Sequence, residues 1–234
     1  AVIQLSMNRC ILIVMTLPIL IAITFALLTL TIQTGSSGLA IWRCRARKII
    51  KQARHRPPVS LIRPLRGLET FSAETLRSSF TIDYPAYEIL FCVRDSSDPV
   101  IPLVKSLMAE YPGCASSLLI GDDRISANPK LNNMAKGFYA SRFNHVVFCD
   151  SNVLMPSDYL DSLVHRLDAQ TGMVSAPPVG QLPDGLWAQV ECAFLNSYQA
   201  RIQYAVDTLG FGFAQGKTLF YRKADLERIG LERG

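Results

Sequence analysis

Twenty-three consecutive uncharged residues, Cys10 to Ile32, constrain this chain more than any other feature of its sequence. Leu, Ile, Val, Thr and Ala dominate the run. As a helix rising about 1.5 Å per residue, it is long enough to cross a hydrocarbon core of roughly 30 Å. Pro18 lies inside it, and membrane helices tolerate a proline because neighbouring groups re-satisfy the freed backbone. Two other readings compete. A cleaved signal peptide needs a shorter apolar core and a small-residue cleavage site, for which Gly35-Ser36-Ser37-Gly38-Leu39-Ala40 offers material. A buried core helix rarely goes so long without a charge. A transmembrane helix over residues 10–33 is preferred, with residues 1–9 as a short preceding segment.

Charge then sets an orientation. Before the run only Arg9 is basic, apart from the terminal amine. After it come Arg43, Arg45, Arg47, Lys48, Lys51, Arg54 and Arg56. The excess of Lys and Arg places that side in the cytoplasm, with residues 34–56 as a basic juxtamembrane linker. These residues account for much of the net charge of +5. A basic cluster beside a bilayer meets anionic headgroups, so nucleic acid is not an expected partner. The six cysteines, Cys10, Cys44, Cys92, Cys114, Cys149 and Cys192, form no CxxC pair or zinc spacing. Cys92 and Cys149 sit in apolar runs and read as buried thiols, as in a reducing compartment.

From Pro57 onward the pattern changes to short apolar runs alternating with helical spacings. Strands are predicted at Val59–Ile62, Tyr87–Val93, Ser117–Ile120, His145–Cys149, Met173–Ala176 and Thr218–Tyr221. Helices are predicted over 70–80, 98–111, 130–141, 156–169, 186–206 and 223–229. Thr70 or Ser72 is the expected cap of the first of these, and Asp98 that of the second, followed by Pro99. This alternation argues for an α/β domain over 57–234 with a mostly parallel sheet. In such sheets ligands bind beyond the carboxyl ends of the strands.

Two apolar strands end in an aspartate there. Asp150, after Val-Val-Phe-Cys, can present a carboxylate to a Mg²⁺ or Mn²⁺ that bridges a diphosphate; its plainer role is to cap the next turn. Asp95 can accept from an N–H of a uracil ring, with the same structural alternative. Asp98 is better explained as a cap. Asn128-Pro129-Lys130 delivers a lysine to a helix start, where the backbone and dipole favour an anion; it reads as a diphosphate contact or as a solvated surface lysine. Asn132 and Asn133 are poor helix formers, and in a first turn they hint at local polar contacts. Gln215-Gly216-Lys217-Thr218 is not a P-loop, because Phe211 stands where the earlier glycine is required and strand residues follow Thr218. His55, His145 and His165 are scattered and read as structural. No GxSxG, HExxH or GxGxxG occurs.

Taken in order, several segments resemble the ceramide glucosyltransferase family of inverting glycosyltransferases, which is related to bacterial hopanoid and other lipid glycosyltransferases. They are Ile62-Arg63-Pro64, Gly67-Leu68-Glu69, Asp83-Tyr84-Pro85 with Tyr87-Glu88, and Cys92-Val93-Arg94-Asp95-Ser96-Ser97-Asp98-Pro99. Asn128-Pro129-Lys130 with Asn132-Asn133, Cys149-Asp150-Ser151, Gly216 and Tyr221-Arg222-Lys223 complete the set. The resemblance runs from Pro57 to about Gly230 and includes the preceding membrane helix. It implies a GT-A fold, a Rossmann-like nucleotide-diphospho-sugar transferase domain, that binds a UDP-sugar and a divalent cation, Mg²⁺ or Mn²⁺. By position it carries Asp95 to the uridine, Lys130 to the donor phosphates, and Asp150 to the metal and diphosphate. Asn152 leaves the DxD pattern incomplete.

The implied activity is transfer of a hexose to a membrane lipid, most simply glucose to ceramide, in glycolipid and sphingolipid metabolism. A hopanoid or other lipid acceptor is the alternative, as is a catalytically incomplete nucleotide-sugar-binding fragment. The family's general base, its Gln-x-x-Arg-Trp motif and its further membrane segments are expected beyond Gly234. On this reading the domain is C-terminally truncated, and the catalytic base is not among these residues.

Overall fold

The computed structural model describes residues 2–45 and 55–228; side chains are described from residue 16 onward. In chain order the elements are α1 (Val2–Arg45), β1 (Val59–Pro64), α2 (Ser72–Arg77), β2 (Tyr87–Val93), α3 (Ile101–Glu110), β3 (Ala115–Ile120) and α4 (Pro129–Ala140). β4 (His145–Cys149), α5 (Tyr159–Val164), β5 (Val174–Ser175), α6 (Leu186–Phe194), α7 (Ala200–Thr208), β6 (Thr218–Arg222) and α8 (Lys223–Arg228) follow. Contacts divide the chain into two compact units. One joins α1 to Val179–Phe213; the other holds the sheet.

In the first unit, α1 contains a stretch, Thr16–Arg45, long and apolar enough to cross a membrane, and none of its most apolar window is buried by protein. The helical backbone continues beyond residue 33 through Gly35–Gly38 to Arg45. There Thr34, Ser36 and Ser37 donate back to the carbonyls of Leu30, Ile32 and Gln33 at 2.6–2.8 Å, so these hydroxyls are satisfied within the helix. Most of the basic stretch, residues 46–54, lies outside the described residues. The helix predicted over 186–206 spans α6 and α7, which a single π-helical turn, Leu195–Gln199, joins into continuous helical backbone.

The second unit is a three-layer α/β domain. Its six strands run in the order β3-β2-β1-β4-β6-β5. β3, β2, β1 and β4 are parallel, while β6 is antiparallel to both of its neighbours. Period-2 alternation splits the side chains between two cores. Val59, Leu61, Ile89, Phe91, Val93 and Val147 pack with Leu76, Val104, Leu107 and Leu160 on one side of the sheet. Ile62, Leu90, Cys92, Val146 and Phe148 pack with Phe138 of α4 and Leu226 of α8 on the other.

Several predicted helices are trimmed. α2 covers only Ser72–Arg77 before a 3₁₀ turn, Ser78–Phe80. Ser72 lies inside that helix, and its hydroxyl accepts from the Glu69 N–H at 2.7 Å. α3 starts at Ile101, with Val100 as its cap residue. The Asp98 carboxylate instead takes the Val100 N–H at 2.9 Å and the Gly67 N–H at 3.0 Å. It thereby ties the loop after β1, where Gly67 has φ +69°, to the loop after β2. Outside Tyr159–Val164, the segment predicted helical over 156–169 forms turns and irregular backbone.

Candidate functional site

The chain fills the sheet outward from β1, first through β2 to β3 and then back to β4 on the other side. Helices on opposite faces of such a sheet leave a crevice at the carboxyl ends where the winding reverses. Here that point lies between β1 and β4. Register places Ile62 of β1 level with both Leu90 of β2 and Phe148 of β4. Asp150 and Asp95 therefore both lie beyond the carboxyl ends of strands that flank β1.

Asp150 is the centre of a charged cluster. Its side chain is 17% exposed, and its two oxygens face two ammonium groups. Lys130 pairs with Oδ1. Lys217 stands 3.3 Å from Oδ2. Each lysine is fixed by a second contact. Lys130 donates to the Gly216 carbonyl at 3.3 Å, and Lys217 to Asn152 Oδ1 at 2.9 Å.

Local chemistry explains why these groups meet. Asn128 caps α4, its side chain accepting from the Lys130 N–H at 3.0 Å, so Lys130 sits in the first turn with proline before it. Asn132 closes the preceding loop by accepting from the Ser126 N–H at 2.9 Å and donating to the Ser126 carbonyl at 3.1 Å. Asn133 donates to the Leu65 carbonyl at 3.4 Å, anchoring the helix to the end of β1. The polar contacts suggested by this Asn pair are thus present. Lys217 immediately precedes β6, which pairs with β4 so that Cys149 lies opposite Thr218. The Asp150 N–H donates to the Lys217 carbonyl at 3.1 Å.

Beneath the carboxylate lies Arg63 of β1, fully buried. Its guanidinium donates to the carbonyls of Asp150 at 2.8 Å, Ser151 at 2.7 Å, Val153 at 3.2 Å and Thr75 at 2.9 Å, and to Ser79 Oγ at 2.7 Å. Backbone oxygens solvate this charge in place of water. Burial lowers its pKa, and the nearby Cys149, Tyr159 and Asp150 partly offset that. Burial also pushes the Cys149 thiol up. The Tyr159 hydroxyl, 2.9 Å from Thr218 Oγ1 and 3.3 Å from Cys149 Sγ, joins the ends of β4 and β6 to α5.

Of the three residues singled out by sequence, the structure brings Lys130 and Asp150 into contact. Asp95 occupies the same sheet edge but is solvent-exposed and pairs with neither. Lys217 and Arg63 were not singled out. Lys217 sits in the Gln-Gly-Lys-Thr segment set aside with the P-loop reading, and Arg63 in a segment that carries the family resemblance.

No group of three or more His, Cys, Asp or Glu side chains suited to a metal occurs among the described residues. The donor set at Asp150 fits a divalent ion held by one carboxylate and chiefly by phosphate oxygens and water, which is how magnesium-type sites are commonly built.

The architecture and the charged sheet edge together define a class. The fold is GT-A, as in the mannosyltransferase PcManGT from Pyrobaculum calidifontis, solved in complex with GDP-Man and Mn²⁺. The two superpose with a TM-score of 0.59 at 21% identity, over 88% of this chain and 57% of the other. Residues 14–232 match the model of Glycosyl transferase family 21, and the chain belongs to that family. Ceramide glucosyltransferase 3 of Caenorhabditis elegans is 28% identical over 195 residues, 82% of this chain and 42% of the relative. Ceramide glucosyltransferase of Candida albicans is 36% identical over 127 residues, 49% of this chain and 23% of the relative. The chain thus spans less than half the length of these curated relatives.

Proposed function

We propose that this chain is the donor-binding part of a membrane-bound hexosyltransferase that moves a sugar from a UDP-sugar to a lipid, with ceramide as acceptor and glucose as sugar. The observation that carries the reading is the Lys130–Asp150–Lys217 cluster at the point where the sheet reverses. Two fixed ammonium groups suit the two charged phosphates of a nucleoside diphosphate, and their stabilisation of departing UDP is the main electrostatic contribution to transfer. Asp95, on the loop after β2, across β1 on the same edge, accepts from the uracil ring. A divalent ion at Asp150, Mg²⁺ or Mn²⁺, supplies further positive charge at the diphosphate when bound. The names of the curated relatives support ceramide as acceptor. The apolar helix α1 supports membrane attachment, and the basic residues after its apolar run support a cytoplasmic sheet domain.

Calorimetric titration of UDP into the protein in lipid nanodiscs, with Mn²⁺ or with chelator, tests the donor half of this reading. Saturable UDP binding, weakened in Lys130→Ala, is the expected outcome. Binding that is indifferent to this substitution removes the site. For the acceptor half, membranes carrying the whole protein are supplied with labelled UDP-glucose and ceramide. Label in a hopanoid fraction but not in glucosylceramide rejects ceramide.

A further inference from the structure

We infer that the turn after β4 holds a donor phosphate through the main-chain N–H groups of Ser151 and Asn152, which the buried Arg63 turns outward. The inference rests on reading this sheet edge as a nucleoside-diphosphate site, and it adds a contact to that site.

Asp150 to Val153 form a β-turn, closed by the Val153 N–H on the Asp150 carbonyl at 3.3 Å. Neither central residue, Ser151 or Asn152, has a positive φ, so the turn is of type I. Its carbonyls are drawn to one side. Arg63 Nη2 donates to those of Asp150, Ser151 and Val153 at 2.8, 2.7 and 3.2 Å. These contacts solvate a fully buried guanidinium, and they also fix the other ends of the same peptide groups. A trans peptide is planar and holds its C=O and N–H antiparallel, and no cis peptide occurs among the described residues. The N–H groups of Ser151 and Asn152 therefore point away from Arg63, toward the surface, where Ser151 is half-buried and Asn152 exposed. Each peptide dipole has its negative end on the cation and its positive end outward.

The side chains of the turn leave both donors open. An aspartate in first place commonly accepts from the N–H two residues on, here that of Asn152. Instead both Asp150 oxygens face ammonium groups, those of Lys130 and Lys217. The Ser151 hydroxyl lies 3.4 Å from Glu69 Oε1, and the Asn152 side chain accepts from Lys217 at 2.9 Å. Neither N–H meets an acceptor among the described residues. Successive N–H groups in a turn make an anion-binding concavity, and the two lysines beside this one add positive charge. The two kinds of group supply different things. An ammonium is a point charge on a flexible stem, whereas the turn offers donors whose direction is set by Arg63. A phosphate uses both, drawing its charge balance from the lysines and its orientation from the turn.

Ser151-Asn152 is the chain's single Ser-Asn peptide. Labelling the full chain in nanodiscs with carbonyl-¹³C serine and ¹⁵N asparagine therefore leaves the Asn152 amide as the sole signal in a carbonyl-selected NMR spectrum. In chelator, saturating UDP is expected to move its proton downfield, while uridine at the same concentration leaves it in place. An unmoved signal when calorimetry shows UDP bound overturns the inference and leaves the nucleotide site standing. An equal shift with uridine assigns the contact to the nucleoside and also overturns it. If UDP does not bind at all, the reading of the site fails together with the inference. Ser151→Pro reads the second donor, because proline is favoured at that place in a type I turn and lacks the N–H. Ser151→Ala is its reference, losing the hydroxyl and keeping the amide. UDP affinity is expected to fall by about fivefold or more in the proline variant relative to the alanine variant, as loss of a hydrogen bond to a charged group implies. Equal affinities overturn the Ser151 contact.

Discussion

Substituting the residues around Asp150 one at a time separates a nucleotide-diphosphate clamp from a surface salt bridge, because the clamp predicts effects of opposite sign. Lys130 and Lys217 face the two oxygens of one carboxylate, with side-chain exposures of 42%, 39% and 17% for Lys130, Lys217 and Asp150. Two unit charges 4 Å apart interact by about 1 kcal/mol in water and about 4 kcal/mol at an effective dielectric of 20. With both ammonium groups some two-fifths exposed, solvent screening places each contact near the lower figure, at about 1–2 kcal/mol. The same scale applies when a phosphate takes the place of the carboxylate. Lys217→Ala and Lys130→Ala are therefore each expected to weaken UDP binding by about 5–30-fold in chelator. Asp150→Asn removes the competitor for both lysines, so in chelator it is expected to tighten UDP binding by a comparable factor. With Mn²⁺ present the same variant is expected to lose whatever affinity the metal adds. Isothermal titration of UDP into the full chain, with and without Mn²⁺ and at two salt concentrations, reads all of these; thermal melts confirm that each variant folds. Weaker UDP binding by Asp150→Asn in chelator would refute the reasoning, as would Lys217→Ala within about twofold of the parent.

Other regions give independent tests. A Cβ at Gly137 of α4 would collide with Ile62 Cγ2 and lie 2.9 Å from Cys92 Sγ; Gly137→Ala is expected to lower the melting temperature, since overpacking by about 1–3 kcal/mol outweighs a helix-propensity gain of at most about 1 kcal/mol, and an unchanged or higher value rejects the packing. Arg63→Met keeps much of the side-chain volume but strands several buried acceptors, so a destabilisation of about 3 kcal/mol or more in urea melts is expected, with Arg63→Lys recovering only part because it lacks the planar fork. Burial, then Arg222 and His55, lowers the pKa of His145; the unfolded chain then binds more protons just below the ordinary imidazole value of about 6.5, so stability is expected to fall as pH drops through that value, and His145→Gln should remove this part of the dependence. Cys44 is exposed, whereas Cys92 is buried with its pKa pushed up to about 12; a thiol reagent at neutral pH is expected to modify Cys44 in the folded protein and Cys92 only after denaturation.

What was legible in the sequence followed how local each signal was. β2 and β4 match the predicted bounds residue for residue because each carries an apolar run of strand formers, Ile89–Val93 and Val146–Cys149, followed at once by polar residues. Their aspartates were recognisable for the same reason. Asp98 was legible as a capping type but not in its use, because its second acceptor contact, to Gly67, comes from a loop some thirty residues away. Lys217 was hidden by topology. Only the antiparallel return of β6 beside β4 brings it to Asp150, and no local pattern around Gln215–Thr218 encodes that pairing. Arg63, just past the strand predicted at Val59–Ile62, reads as an ordinary charged residue until the 150–153 loop and α2 close over it.

The same contrast separates the two ends of the proposed nucleotide site. At the phosphate end each charged group is held by its own device: Asn128 caps the turn that carries Lys130, β6 pairing fixes Lys217, and Arg63 grips the carbonyl of Asp150. Asp95 has an exposed side chain; its loop is held through Asp98, whose N–H donates to the Asp95 carbonyl at 3.2 Å. On the proposed reading, the diphosphate is thus met by preorganised charge, and the uracil contact completes afterwards. The clamp also links its ligands. While both lysines lie on Asp150, that carboxylate is already neutralised and is a poor partner for a divalent cation. On the same reading, phosphate oxygens that engaged the lysines would free Asp150 to hold a cation, and cation and nucleotide would then raise each other's affinity by the same factor.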